Sequence, residues 1–308
     1  MVQHLFLPLS DPPMNKLTPR RRGIVFMLMS MFLFALMDGS GKYLTHTYSI
    51  YQVMWVRFLF LLLLVFILSA HKGIRSPWRS QMPVLQIFRA AVVLIEIGLF
   101  ILSFKFLPLA DVHAIASISP LLATALAVPL LKEKVSLHRW AAVLFGLIGV
   151  LVIIQPGLGS FSYLSLLPLS GAFLWGFYQI LVKMVSATDS VETGLFYNAV
   201  IGIVALSFVV PFQWVAPDLE GWIFLTLTAL LGCGGHLFIM KAFELAPASV
   251  LQPFNYALVV WAAIIGALGF GDIPGKWTII GAGIVVLGGL YAFHRERLRE
   301  LPQSNSVS

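Results

Sequence analysis

The sequence has little charge. Asp, Glu, Lys and Arg make up only 11% of its 308 residues and 59% are hydrophobic, whereas soluble domains are about 25% charged and about 45–50% apolar. The mean hydropathy is +0.92. A water-soluble domain of this composition would expose large apolar patches and aggregate. These values exclude a soluble protein and indicate an integral membrane protein.

Cysteine is nearly absent as well. The single Cys233 excludes an internal disulfide and a metal cluster built on cysteines. Paired carboxylates, metal-spaced histidines and a phosphate-binding glycine loop are also missing from the sequence. We therefore expect no cofactor, no bound metal and no catalytic residue.

One short motif admits an enzymatic interpretation. Gly39-Ser40-Gly41 resembles the surroundings of a serine nucleophile, with His113 or His236 as its base. The motif lies near the end of a hydrophobic span, without the strand-to-helix elbow that such a serine normally occupies. An intramembrane enzyme therefore stays a minor alternative.

Long hydrophobic runs, by contrast, fill the chain. A helix needs about 20 apolar residues to cross the roughly 30 Å hydrocarbon core of a bilayer. The predicted spans are 23–44, 49–70, 84–104, 110–131, 138–155, 163–183, 192–212, 221–241, 247–270 and 276–294. The prediction is an all-α integral membrane protein with ten transmembrane helices.

Basic residues set the orientation of these spans, because cytoplasmic loops are enriched in Lys and Arg. If the amino terminus is cytoplasmic, the opposite side of the membrane receives only Lys42, Lys105 and Lys276. We therefore predict cytoplasmic tails at 1–22 and 295–308. The net charge of +7 reflects this bias, and nucleic acid is not an expected partner.

The two halves of the chain are related in sequence. The residues Phe100, Ile101, Leu107, Ala110 and Val112 recur in the same order as Phe238, Ile239, Leu245, Ala248 and Val250. Because each half, 23–155 and 163–294, contains five spans, the second half must enter the membrane upside down. Inverted repeats are common among transporters, which bind substrate near the midplane between the halves.

Arg57, Arg89 and Glu96 lie inside predicted spans. Arg57 is about 12 Å into the second span and Glu96 about 18 Å into the third, at 1.5 Å per residue. Charges at this depth tend to face a cavity or a partner. Arg57 is a candidate for binding an anionic substrate group, and Glu96 for a cationic group or a coupling proton. The alternative to a binding role for Arg57 and Glu96 is an ion pair between helices. For Arg89 a structural role is favoured, either in an ion pair or with its charged end extended to the lipid headgroups.

Further polar and aromatic residues follow helical spacing. Besides Arg57 and Glu96, the residues that we predict to line a central cavity are Asp38, His113, Ser117, Trp175, Tyr178, Gln179, Asn198, His236, Gln252, Asn255 and Tyr256. Asp38 is matched by Gln179 at the equivalent position of the other half, and Arg57 by Asn198. The alternative to lining a cavity is that these side chains form hydrogen bonds between helices, which are worth about 0.6 kcal/mol on average. For His236 the favoured interpretation is a packing residue beside the neighbouring glycines.

Two stretches resemble a known family. Residues 107–115 (LPLADVHAI) with 132–134, and residues 246–254 (APASVLQPF) with 270–272, resemble the EamA repeat of drug/metabolite transporters. The resemblance implies a carrier of ten helices in two inverted repeats, with spans one to four and six to nine around a cavity and spans five and ten outside. Among family members, those for riboflavin or S-adenosylmethionine uptake look nearest, and other relatives export amino acids or opine-like metallophores.

These observations predict a secondary transporter of the bacterial inner membrane. It would move a small polar or zwitterionic organic metabolite by alternating access, with proton coupling or exchange, in a direction that the sequence leaves open. The expected partners are the metabolite, membrane lipid and, through spans five and ten, a second copy of the chain. A scaffold or receptor without transport activity is the main alternative.

Overall fold

A computed structural model of the chain describes residues 18–74, 76–132, 137–155, 162–186, 188–246 and 251–300, and every regular element in these ranges is helical. The α-helices, numbered in chain order, are α1 (Pro19–Leu44), α2 (Ile50–His71), α3 (Pro83–Phe106), α4 (Leu109–Ala116), α5 (Ser119–Leu131), α6 (Leu137–Ile154), α7 (Leu166–Val185), α8 (Val191–Ser207), α9 (Leu219–Leu245), α10 (Ala257–Phe270) and α11 (Lys276–Glu300). Short 3-10 helices at Tyr163–Ser165, Val210–Phe212 and Gln252–Tyr256 precede α7, follow α8 and precede α10.

Most of these helices are long and apolar. In the described parts of the chain, six helical segments have the length and hydropathy to cross a membrane, and four shorter apolar helices accompany them. Large apolar side chains such as Leu63, Leu147 and Leu268 are exposed, as expected where lipid replaces water. The chain is therefore a multi-pass membrane protein, which confirms the prediction from composition.

Short polar residues and prolines mark where the helices begin. The side chains of Ser49, Ser190 and Asp218 accept backbone N–H hydrogen bonds in the first turns of α2, α8 and α9, which satisfies donors that a helix start leaves free. Pro83 opens α3, where its missing N–H costs nothing. Gly271 ends α10 with φ of +69°, a conformation that glycine adopts without strain.

The helices form a ring in which neighbours come from opposite halves of the chain. α1 packs against α9 and α10, α9 against α2, α2 against α8, and α8 against α3. α3 packs against α7, α7 against α4 and α5, and α4 closes the ring by packing against α10. α3 also contacts α1, α2 and α4. Side chains of α3 can therefore meet those of three other first-half helices inside the ring.

α6 and α11 pack closely against each other through glycines. A methyl group added at Gly281 of α11 would lie 2.4 Å from the backbone oxygen of Gly149 on α6, and one added at Gly149 would lie 2.7 Å from the Gly281 oxygen. Small residues let two helix backbones approach in this way. These two helices correspond to the predicted fifth and tenth spans.

Two predicted spans are broken. The sequence predicts single helices over 110–131 and 247–270, whereas Ser117 and Ile118 separate α4 from α5, and residues 252–256 form a 3-10 helix ahead of α10. Pro120 and Pro253 lack the N–H that a continuous α-helix requires. Because a 3-10 helix has three residues per turn, positions 252 and 256 do not share the face on which α-helical spacing would place them. Residues 247–250 lie outside the described ranges.

The α6–α11 contact predicts a position-specific effect of adding one methyl group. Gly281→Ala should lower the melting temperature of the purified protein by a few degrees, because the Gly149 backbone has no room for the new Cβ. Gly283→Ala on the same helix meets no atom within 4 Å and is the matched control. It should be neutral or slightly stabilising, since alanine favours a helix over glycine by up to about 1 kcal/mol. Equal melting temperatures for the two variants would contradict the close contact.

Candidate functional site

Four ionisable residues of the first half come from four different helices. Asp38 lies on α1, Arg57 on α2, Glu96 on α3 and His113 on α4. The side chains of Asp38, Glu96 and His113 are buried, whereas Arg57 keeps part of its surface accessible. Because charged groups are costly inside a membrane protein unless they are paired or hydrated, the four residues mark a polar region within the ring.

Arg57 lies within electrostatic range of two acidic side chains. A Cβ atom at Gly98 of α3 would lie 3.8 Å from the Met54 side chain of α2, so Arg57, one turn further along α2, is close to the depth of Glu96. The charges of Asp38 and Glu96 both act on Arg57. Two of the side chains that the sequence places deep in the spans, Arg57 and Glu96, are therefore electrostatic neighbours.

Asp38 also faces a histidine. The Nε2 atom of His113 lies 3.1 Å from Oδ2 of Asp38, and both residues are buried. The contact is short, but Nε2 is not aligned for a hydrogen bond. The His113 ring packs against Phe104 with 5.5 Å between ring centroids. Asp38 and His113 thus form an ion-pair-distance contact that links α1 to α4.

The group holds one basic side chain, Arg57, and two acidic ones, Asp38 and Glu96. A buried group with an uncompensated charge is unfavourable in a medium of low dielectric constant, so one of the two acidic groups compensates Arg57. The other acidic group is available to a proton or to a positively charged part of a ligand. Among the described residues, no three His, Cys, Asp or Glu side chains are arranged to hold a metal ion.

His236 and Cys233 approach the same region from α9. The charge of Arg57 acts on both residues, and the His236 ring contacts the edge of Phe34 at 5.2 Å between centroids. α9 is continuous through this glycine-rich stretch. A Cβ at Gly235 would lie 2.6 Å from the Phe34 ring, so this glycine permits close packing of α9 on α1 rather than unwinding.

A second polar group links α3, α7 and α8. Arg89 is 3% exposed and donates hydrogen bonds to Oε1 of Gln86 at 3.0 Å, to the hydroxyl of Tyr178 at 2.9 Å and to the Gly194 carbonyl at 2.6 Å. Nδ2 of Asn198 donates to the same tyrosine hydroxyl at 3.0 Å. Arg89 therefore connects helices inside the fold and does not extend towards lipid headgroups.

The side-chain amide of Asn198 is only partly hydrogen-bonded among the described residues. Its side chain is 6% exposed, and its Oδ1 atom makes no hydrogen bond with the described residues. A buried polar atom without a partner costs about 1–3 kcal/mol, which a polar ligand group at this position would recover. Trp175 stacks on Tyr178 with 5.4 Å between centroids and 20° between ring planes, and it is 39% exposed.

The other predicted cavity residues make separate contacts. Ser117 donates to the carbonyl of Ala114 on its own helix. Gln179 is partly buried on α7, and Asn255 is partly buried in the 3-10 helix. The Tyr256 hydroxyl lies against Gly289 of α11. The side chain of Gln252 lies outside the described part of the structure.

Lys42 makes a contact that the sequence did not predict. Its Nζ lies 2.5 Å from Oδ2 of Asp272 and donates to the Leu107 carbonyl at 3.0 Å, and it lies over the Phe270 ring. From the sequence, Lys42 indicates only the orientation of the first span. Lys42 joins the end of α1 to the ends of α3 and α10, one turn beyond Asp38, and so ties the two halves together at one end of the ring.

Asp189 ties the halves together at the opposite end. It accepts hydrogen bonds from the side chains of Gln86 and Ser80 and from the Gln81 N–H. Burial alone would raise the pKa of Asp189, but these hydrogen bonds and the charge of Arg89 outweigh it and hold the pKa below its usual value. Because the folded state favours the carboxylate, its stabilising contribution is present at neutral pH and is lost only as the pH falls through that lowered pKa.

The EamA-like transporter family matches the chain twice, over residues 21–155 and 163–293. The chain belongs to the EamA-like transporter family. This confirms the family expected from residues 107–115 and 246–254.

Named relatives extend over most of the chain. A riboflavin transporter of Vibrio cholerae is 30% identical over 279 residues, which are 86% of this chain and 91% of the relative. An S-adenosylmethionine uptake transporter of Rickettsia prowazekii is 25% identical, with 89% and 93% covered. The pseudopaline exporter CntI of Pseudomonas aeruginosa is 22% identical, with 87% and 94% covered. A protein of known crystal structure aligns with a TM-score of 0.62 at 17% identity over 91% of this chain and 98% of its own, which shows a shared fold.

The Lys42–Asp272 contact predicts energetic coupling between the two halves. Lys42→Met and Asp272→Asn should each lower the melting temperature, because either change leaves the other group without its charged partner. The double variant should lose less than the sum of the two, with a coupling of about 0.5–3 kcal/mol, as is usual for residues in contact. The exposed pair Lys241 and Glu244, changed in the same way, is the control and should show additive effects. Additive effects at Lys42 and Asp272 would contradict the contact.

Proposed function

We propose that this protein is a secondary transporter of the bacterial inner membrane that moves a small polar or zwitterionic organic metabolite by alternating access. The observation that carries the proposal is the group formed by Asp38, Arg57, Glu96 and His113 inside a ring of helices from both halves. The proposal assigns no enzymatic activity to the chain and places both termini in the cytoplasm.

The arrangement of the helices supports an inverted-repeat mechanism. We propose that α1–α6 and α7–α11 supply five membrane crossings each, within the repeats 23–155 and 163–294. Every contact around the ring joins one half to the other, so a change in how the halves pack would alter access to the centre from both ends. Inverted halves that exchange conformations convert a cavity open on one side into a cavity open on the other.

The charges in the centre suit a substrate that carries both signs. Arg57 is partly accessible and would bind an anionic group such as a carboxylate. Glu96 and Asp38 would bind a cationic group or compensate the arginine when the site is empty. We propose that Tyr178, Asn198 and the stacked Trp175 complete the cavity on the side of the second half.

The relatives are consistent with this substrate class. Their names specify riboflavin, S-adenosylmethionine and pseudopaline, three small organic metabolites. They include both an uptake transporter and an exporter, so the proposal covers transport in either direction. We propose that the apolar outer faces of α6 and α11 contact lipid or a second copy of the chain.

Removing either central charge should abolish transport without unfolding the protein. The purified wild type is first tested for thermal stabilisation by riboflavin, S-adenosylmethionine and the amino acids, and each stabilising compound is then followed in liposomes. Arg57→Ala and Glu96→Gln should reduce binding by about tenfold or more, since a hydrogen bond to a charged group is worth about 1.5–3 kcal/mol and 1.4 kcal/mol is tenfold.

Exposed charges provide the matched controls. Lys241→Ala and Glu244→Gln alter an ion pair whose side chains are more than half exposed, so both variants should bind and transport as the wild type does. If Arg57→Ala and Glu96→Gln also behave as the wild type does, the assigned site is wrong.

A further inference from the structure

We infer that the substrate has two ends, an ionic end bound at Arg57 and a flat, uncharged end bound by Asn198 and Trp175. The inference rests on the proposed transport function and narrows its substrate class to an elongated metabolite with an ionic group at one end and a nitrogen-containing ring at the other. Its starting point is Oδ1 of Asn198, a buried polar atom without a hydrogen-bond partner among the described residues.

The Asn198 side chain is bonded at one of its two ends. Nδ2 donates a hydrogen bond to the Tyr178 hydroxyl at 3.0 Å, whereas Oδ1 is shielded from water and finds no partner in the described parts of the chain. Buried amide groups normally form hydrogen bonds at both ends, so a ligand group that enters when the ring of helices opens would complete this one. Because either end of an amide can occupy a given position, that ligand group is an N–H or a carbonyl.

The charge beside Asn198 does not require an ionic ligand. Arg89 is already satisfied by hydrogen bonds to three groups, which lie on Gln86, Tyr178 and Gly194. Its charge also acts on Asp189, an acidic neighbour. A further ionic group at this end would have no counter-ion, which is costly inside a membrane protein. The ligand end that Asn198 binds is therefore uncharged.

Trp175 exposes part of its indole towards the inside of the ring of helices. On the same helix, Gly171 packs against Phe100 of α3 and Gly176 packs against the backbone of α5, and Trp175 lies between these two contacts around the circumference of α7. Phe173, which is 46% exposed, is two residues away and so about 200° around the helix. Because Phe173 faces lipid, the exposed surface of Trp175 borders space inside the ring.

The indole of Trp175 and the amide of Asn198 belong to one connected group. Trp175 stacks on the Tyr178 ring, and the hydroxyl of that tyrosine accepts the hydrogen bond from Asn198. A flat ring placed on the exposed surface of the indole would extend this stack, an arrangement that aromatic rings favour at about 4.5–7 Å between centroids. A nitrogen-containing ring can use both groups, because its face stacks and its edge carries N–H or carbonyl groups.

The ionic and uncharged positions lie at different depths. Two contacts show that α2 and α8 run antiparallel: Phe58 meets Gly202, and Lys72 meets Glu192. From the first contact, Arg57 is one residue towards one end of the membrane and Asn198 is four residues towards the other. At 1.5 Å per residue the two positions are about 8 Å apart along the helix axes. A compact amino acid therefore occupies one of them, whereas an elongated metabolite spans both.

Compounds that carry one end or both test the inference on the purified protein in lipid. Three probes carry both ends: S-adenosylmethionine, flavin mononucleotide and guanosine monophosphate. Adenosine, riboflavin and guanosine are their fragments without the ionic end, and methionine and inorganic phosphate are their fragments without the ring. Dissociation constants are measured by calorimetry, and those of weak fragments by competition. We expect at least one two-ended probe to bind about tenfold more tightly than either of its fragments, a difference of about 1.4 kcal/mol.

Two variants should act on opposite ends of the bound probe. Asn198→Leu should weaken the two-ended probe and its ring fragment by about fivefold to tenfold, because one hydrogen bond is lost, and should leave methionine or phosphate unchanged. Arg57→Ala should weaken methionine or phosphate and leave the ring fragment unchanged. Partial unfolding would weaken every compound in both variants, so the opposed changes distinguish binding from stability.

Changes at Trp175 test the stacking surface. Trp175→Leu should weaken the same compounds as Asn198→Leu does, whereas Trp175→Phe keeps an aromatic face and should retain most of the affinity. Phe173→Leu, on the lipid-facing side of the same helix, is the matched control and should bind every probe as the wild type does. Unchanged affinity for the ring-bearing compounds in both Trp175→Leu and Asn198→Leu would overturn the inference.

Transport of the same compounds in liposomes separates this inference from the proposed function. The inference is wrong if none of the two-ended probes binds, or if methionine or phosphate binds as tightly as the ring-bearing compounds. Transport of methionine without transport of any ring-bearing compound would overturn the two-ended substrate and leave the proposed function intact. A ring-bearing probe that binds in the expected pattern but does not cross the membrane would support the two-ended site and contradict the proposed function.

Discussion

The cost of a charge inside a membrane is the constraint on which the rest of this structure depends. A charged side chain in the hydrocarbon region must face a cavity, water or a partner. In this chain the charges of Asp38 and Glu96 act on Arg57, and Arg89 donates hydrogen bonds to three groups on its own and neighbouring helices. One arginine is partly accessible and the other is buried, which is why we assign recognition to Arg57 and a structural role to Arg89.

The same constraint shapes the contacts between the two halves. The polar interactions at both ends of the ring, around Lys42 and around Asp189, join residues that are far apart in sequence. Apolar packing in lipid has little hydrophobic driving force, so these polar contacts and the close glycine packing supply specificity. A transporter that opens its central cavity to one side of the membrane at a time must break such contacts at one end and keep them at the other. The contacts of Lys42 and Asp189 lie at the ends of α1, α3 and α8, where such an opening would occur.

Much of this organisation can be predicted from sequence because hydropathy and charge report directly on the membrane. The apolar runs predict the helices, and the family is recognisable from residues 107–115 and 246–254. Depth along a span also selects Arg57 and Glu96 as unusual. Each of these inferences depends on local composition or on spacing within one helix.

The remainder depends on contacts between distant elements. Arg89 and Glu96 are seven residues apart, about 20° short of two turns, and so lie on nearly the same face of α3. At about 1.5 Å per residue they differ by roughly 10 Å in depth, and they meet different neighbours. The Lys42–Asp272 contact joins positions separated by 230 residues, and no periodicity indicates it. The breaks ahead of α5 and α10 follow from proline chemistry, whereas the exact helix boundaries depend on packing against other helices.

A metabolite profile of bacteria that produce either the wild type or Arg57→Ala tests the central claim most directly. Cells and medium are compared at matched amounts of the two membrane proteins. The account predicts that a small polar metabolite is redistributed between cells and medium only with the wild type: enrichment in the medium means export, and accumulation in the cells means uptake. Identical profiles for the two proteins over a broad metabolite panel would contradict the claim that an Arg57-centred site carries a metabolite across the membrane.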